Sequence, residues 1–244
     1  MKKVWEANIL RSRLYEFLSQ AFLYPKEGQL DVLREETAAL ATECADRHAT
    51  KLMAACNAVH EAIMSATNES LLDDYLSVFG HGVSKDCPQY ACEYQESHIF
   101  MKSNTLSDLA TFYKAFGVVL DPDLHDRLDH ISVELEFLRL LVYKEAYALV
   151  NGHGDDKARL CRDAQRSFLT HHIADWSKSF VHKLRRKAKA DSLFGLYAAL
   201  LNVHLTREFE IFNIRPTPFS LTLVPDPAEE GEDCDSCPMA IGPA

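Results

Sequence analysis

Apolar residues recur at three- and four-residue steps along most of this chain, the spacing that gathers them on one face of an α-helix. Leu10, Leu14, Leu18 and Ala21 mark a helix over 4–24 that Tyr24-Pro25 ends. A second runs from 30 to about 47, and a third carries Leu52, Cys56, Val59 and Ile63. A short fourth, 70–79, stops at Gly80-His81-Gly82. Thr105-x-x-Asp108 has the form of a capping box and opens a helix that Gly117 closes. The segment 127–150 is the most apolar, with Ile131, Val133, Leu135, Phe137, Leu138, Leu140, Leu141 and Val142 spread around most of the circumference. That predicts a helix buried between neighbours. Two further long helices are predicted over 156–189 and 192–213. The pattern is therefore all-α: a single-domain helical bundle of about nine helices over residues 1–215, then an extended Pro-rich acidic tail over 216–244.

Composition supports this and narrows the partners. A chain of 244 residues that is 47% hydrophobic and 25% charged can bury a sizeable core. Nine Gly and nine Pro are too few for the turns of an all-β protein. The net charge is −10, but six acids lie in the tail, which has no Lys or Arg, so the body carries −4. This balance argues against a phosphate backbone as main partner. The run Lys178, Lys183, Arg185, Arg186, Lys187 and Lys189 reads as a solvated helix face. Glu6, Asn8, Arg11 and Arg13 interrupt the N-terminal apolar residues, so no secretory signal is expected. No stretch long enough to span a membrane is present. Seven scattered cysteines, with Cys44 and Cys56 reading as small buried hydrophobes, fit a reduced, cytoplasmic protein.

Residues 80–102 differ in kind: they lack helical period and are crowded with aromatics, His and Cys. Tyr75, Phe79, Tyr90 and Tyr94 either anchor an apolar partner segment or close the core beneath a long loop. Asp126 and Asp129 stand at the mouth of the 127–150 helix, with Glu134 one turn beyond His130. These carboxylates either cap the helix or line an acidic pocket for a guanidinium or ammonium. His130 and Glu134 also offer two metal ligands, so a metal-dependent helical enzyme with a third His or Cys from 81–98 is the alternative reading. Cys87 and Cys92 are spaced too widely for a zinc knuckle, and Cys234-x-x-Cys237 in the tail is half of a zinc site. A phosphate loop, a nucleophile elbow and a HExxH motif are all absent, so the sequence carries no enzyme signature.

Taken together, several motifs resemble the TorD/DmsD/NarJ-type redox-enzyme maturation chaperones. They are Tyr15-x-x-Leu18-x-x-x-Phe22-x-x-Pro25, the loop Cys87-Pro88-Gln89-Tyr90-x-x-Glu93-Tyr94, and Asp126-Arg127-Leu128-Asp129-His130-x-x-x-Glu134-Leu135-Glu136-Phe137. Leu109-Ala110-x-Phe112-Tyr113-x-Ala115-Phe116-Gly117 and Phe168-x-x-x-His172-x-x-x-Trp176 extend the resemblance over about 5–213. Gln89 stands where the family often has a second proline, and Asp126-Arg127-Leu128 where it often has Glu-x-Pro. The resemblance implies a cytoplasmic chaperone, not an enzyme and without a cofactor of its own. Its implied partner is the apo catalytic subunit of a DMSO-reductase-type molybdopterin oxidoreductase, commonly engaged through its twin-arginine signal peptide. The chaperone would aid cofactor insertion and delay export, acting as a monomer or homodimer with neither nucleic acid nor membrane insertion. The implied client-binding residues are Tyr75, Phe79, Pro88, Tyr90, Glu93, Tyr94, Asp126, Asp129, His130 and Glu134. No metal site is implied, Cys234 and Cys237 being the only candidates.

Overall fold

A computed structural model describes residues 2–45, 50–94, 99–119 and 127–216. Asp126, Cys234 and Cys237 lie outside the described residues. Nine α-helices run through that part of the chain: α1 (Lys2–Ala21), α2 (Gln29–Ala45), α3 (Thr50–Ser65), α4 (Asn68–Phe79), α5 (Ile99–Ala115), α6 (Ile131–Val150), α7 (Asp155–Phe168), α8 (Ser177–Lys187) and α9 (Leu193–Phe212). Among the described residues no strand occurs, only the isolated bridge between Tyr90 and His130, so the all-α expectation holds.

Helix α6 is central because apolar residues cover most of its circumference. It packs along α1 on one side and α7 on the other, while α2 and α3 pair and lean on α1 and α9. Leu135, Leu138, Leu141 and Val142 are fully buried there. Two aromatic clusters fill the interior. Phe22 meets Phe180 edge-on at 5.5 Å, and Phe194 meets Tyr197 at 5.2 Å. On the other side of α6, Phe137 lies 4.8 Å from Phe168 and 4.7 Å from Tyr113. Edge-on and tilted contacts of this kind add to the hydrophobic term from burial. Cys44 and Cys56 are buried, with their Sγ atoms 3.2 Å apart.

Three expectations are corrected. Helix α5 begins at Ile99, so Thr105 and Asp108 lie inside it and form no capping box. The cap of α6 is not Asp129 but His130, whose Nδ1 accepts the Ser132 N–H at 3.2 Å. The helix predicted over 156–189 is two helices, divided by a π segment, Leu169–Ile173, in which the Ala174 N–H bonds the Leu169 carbonyl at 2.9 Å. The buried stripe Phe168, Leu169, His172, Ile173 and Trp176 passes through this break. Hydrophobic period therefore gives no sign of it.

Candidate functional site

The loop after α4 and the entry to α6 are clasped together. Gly80 ends α4 at φ 72°, a backbone conformation that glycine adopts without the clash a Cβ would bring. The chain then returns to α6, where the Ala91 N–H bonds the Asp129 carbonyl at 2.9 Å and the Ile131 N–H bonds the Gln89 carbonyl at 2.8 Å. Gln89 is buried. Its amide donates to the Phe22 carbonyl at 2.8 Å and its Oε1 accepts from the Tyr75 hydroxyl at 2.9 Å, which pins the loop to α1 and α4.

Asp129 sits fully buried at the centre. Arg127 donates to it twice, Nε to Oδ1 at 2.9 Å and Nη2 to Oδ2 at 2.7 Å, and the Cys92 N–H adds a third bond at 3.0 Å. Burial pushes the Asp129 carboxyl up, but the Arg127 and Cys92 bonds outweigh it and hold the pKa below the usual carboxylate range. Arg127 also reaches Glu93 at 3.0 Å and lies over the Tyr90 ring at 4.5 Å, while Lys102 holds the other Glu93 oxygen at 3.1 Å. The His130 ring meets Tyr90 edge-on at 5.1 Å. With Nδ1 accepting from Ser132, the neutral ring carries its proton on Nε2.

Glu134 is a different carboxyl. It is fully buried, Trp176 Nε1–H bonds its Oε2 at 3.2 Å, and Oε1 has no hydrogen-bond partner among the described residues. Burial, then the Asp129 charge, pushes its pKa well above the carboxylate range, against the pull of Trp176.

The candidate residues thus divide. Tyr75 and Phe79 are 7% and 2% exposed and belong to the core, packed on each other and on Phe194, so they line no surface groove. Pro88 is buried, and its carbonyl accepts the Tyr94 hydroxyl at 2.8 Å. Asp129, His130 and Glu134 are buried frame residues, not the lining of an open acidic pocket. Tyr90, Glu93 and Tyr94 are half-buried and form an accessible edge with Arg127, Lys102 and Lys183, whose Nζ lies 5.0 Å above the Tyr94 ring. The sequence motifs include Arg127, two residues from the carboxylate it neutralises, and Gln89, which replaces an expected proline, but assign neither a role in the site. Trp176 was named only as a motif position, because its 42-residue separation from Glu134 hides the contact. Among the described residues no group of three or more His, Cys, Asp or Glu could hold a metal ion. His130 Nδ1 and Glu134 Oε2 are engaged by Ser132 and Trp176, and His98, a further candidate of the metal-enzyme reading, lies outside the described residues.

Comparison with known proteins agrees with the resemblance seen in the motifs. A selenate reductase assembly chaperone from Thauera selenatis is 31% identical over 142 residues, 58% of this chain and 72% of that protein. A chlorate reductase assembly chaperone from Ideonella dechloratans is 32% identical over 107 residues, 43% of this chain and 54% of its own length. The chaperone protein TorD of Vibrio cholerae is 22% identical over 213 residues, 84% of this chain and 91% of that one. The model of the nitrate reductase delta subunit family matches residues 45–182, which take in the clasp, α6 and most of α8. With more than half of its length matched, this chain belongs to the nitrate reductase delta subunit family.

Proposed function

We propose that the chain is an assembly chaperone, with no turnover of its own, for the catalytic subunit of a molybdopterin oxidoreductase in the cytoplasm. The observation that carries this reading is that reductase assembly chaperones match it at 31% and 32% identity. In this reading the apo subunit is held until its cofactor is inserted, and its twin-arginine signal peptide is one of the contacts. The half-buried edge of Tyr90, Glu93, Tyr94 and Arg127 supplies aromatic faces and mixed charge suited to a peptide, and Asp129, His130 and Glu134 keep that edge in place.

The test is affinity capture of the full chain from its own cells. A molybdopterin oxidoreductase subunit is expected among the retained proteins, and its absence would sink the role. Binding of a twin-arginine peptide should fall in His130→Ala, which removes the cap and the ring under Tyr90. Equal affinity in that variant would show that the clasp does not frame the peptide site.

A further inference from the structure

Helices α2 and α3 hold two thiols against each other. Cys44 continues the buried stripe of Leu33, Thr37 and Leu40 on α2, and Cys56 lies between Leu52 and Val59 on the buried face of α3. The two helices run antiparallel, and their register is fixed at three places. Arg34 Nη2 donates to the Ala66 carbonyl at 2.8 Å, just past the end of α3. The Thr37 hydroxyl and His60 Nδ1 are hydrogen-bonded at 3.2 Å, and the Cys44 and Cys56 sulfurs meet at 3.2 Å. All five cysteines among the described residues are buried, and this is the pair whose sulfurs touch.

A buried thiol by itself is inert, because the thiolate is the nucleophile and an apolar site disfavours it. A second thiol in contact changes that in two ways. The Cys44 contact first, then burial, pushes the Cys56 thiol up, so Cys56 keeps its proton and the Cys44 sulfur is the one that ionises. An oxidised Cys44 would also find its partner already in place, since closing a disulfide from this contact needs an approach of about 1 Å. Exposures of 0% and 3% decide which oxidant can enter. A small hydroperoxide fits such an enclosed site, and a bulky peptide disulfide does not.

We propose that Cys44 and Cys56 form an oxidative modification site that hydrogen peroxide closes to a disulfide. The Cys44 thiolate attacks one peroxide oxygen and breaks the O–O bond. Cys44 becomes a sulfenic acid, and the released hydroxide takes up the proton that Cys44 gave up. The Cys56 sulfur then displaces the sulfenic oxygen: the S–S bond forms, the S–O bond breaks, and the Cys56 proton leaves with that oxygen as water. Together the two thiols lose two electrons and two protons, and one peroxide becomes two waters. The bond staples α2 to α3, which lean on α1 and α9, and so couples the stability of the bundle to oxidant. No clasp residue takes part, so the site stands apart from the chaperone reading.

The test uses the full chain with Cys234→Ser and Cys237→Ser, which takes the tail pair out of the readout. The protein is treated with hydrogen peroxide, remaining thiols are blocked with iodoacetamide, and proteolytic peptides are mapped by mass spectrometry. A peptide linked through Cys44 and Cys56 and released by dithiothreitol is expected. The melting temperature should rise by about 5–10 °C on oxidation and return on reduction. Cys56→Ala should give no link and leave Cys44 as a sulfenic acid that dimedone captures, while Cys44→Ala should lose both the link and the rise. Circular dichroism confirms that each variant is folded, and the linked peptide is read without either of them. Sulfinic acid at Cys44 in place of the link, or thiols that stay reduced under peroxide, would overturn the proposal. So would a link that leaves the melting temperature unchanged, or a rise that persists in Cys44→Ala.

Discussion

Asp129 accepts three hydrogen bonds from within the chain, one on Oδ1 and two on Oδ2, so it contributes to the stability of the clasp. Asp129→Asn keeps the shape but loses the charge that orients Arg127, and should lower the unfolding free energy by about 1–3 kcal/mol in urea titration. Because its pKa is depressed, its stabilisation is complete above about pH 4 and is lost as pH falls through the folded value. Glu134 runs the other way. Its raised pKa means that its contribution is complete below about pH 4 and is lost as pH rises, since the unfolded chain ionises there while the buried carboxyl stays protonated. Glu134→Gln should therefore flatten the fall in melting temperature between about pH 5 and pH 8 while matching the unaltered chain near the acid end. An unchanged slope would mean that Glu134 is ionised in the fold. In sequence the two carboxylates stand five residues apart and look alike. Their opposite states depend on Arg127 and Trp176, which only the fold brings to them.

At the level of elements, periodicity located the helices well and their ends poorly. The extents of α1, α3 and α9 follow from apolar steps and from breakers such as Pro25 and the Ser192 cap, whose hydroxyl accepts from the Gly195 N–H at 3.4 Å. The start of α5 and the π segment do not, because backbone hydrogen bonding sets both and neither interrupts the apolar stripe. Gly195 shows the same gap. In an ordinary helix, replacing Gly with Ala gains up to about 1 kcal/mol. Here an added Cβ would run into the Lys189 backbone carbonyl, because the turn between α8 and α9 folds tightly over the helix start. Gly195→Ala should instead cost about 1–3 kcal/mol, measured by thermal or urea unfolding. A stabilised variant would show that the turn relaxes freely.

Across the whole molecule, one polar network ties the helices around the middle of α1. Arg11 donates to both oxygens of Glu208 at 2.7 and 2.5 Å and to Gln165 at 2.8 Å, and Gln165 passes a bond to Glu145 at 2.7 Å. Tyr15 adds a hydroxyl to Glu208 at 3.0 Å, so α1, α6, α7 and α9 share one set of charges. Burial pushes the Glu208 carboxyl up, but Arg11 outweighs it and holds it ionised. Glu208→Gln strands a buried guanidinium and should cost about 3–5 kcal/mol, whereas Arg11→Met with Glu208→Leu should recover most of that loss. A double variant no more stable than the single one would refute the pairing as the cause. In the sequence, Arg11 looks like a polar interruption of an apolar stripe. The sequence by itself determined the helical class and the segments that carry the family motifs, because helical period and turn residues act over a few positions. Only the tertiary structure decided which polar residues are exposed and which are buried in pairs. Burial and charge pairing depend on partners as far apart as Arg11 and Glu208, a separation of 197 residues that no local pattern encodes.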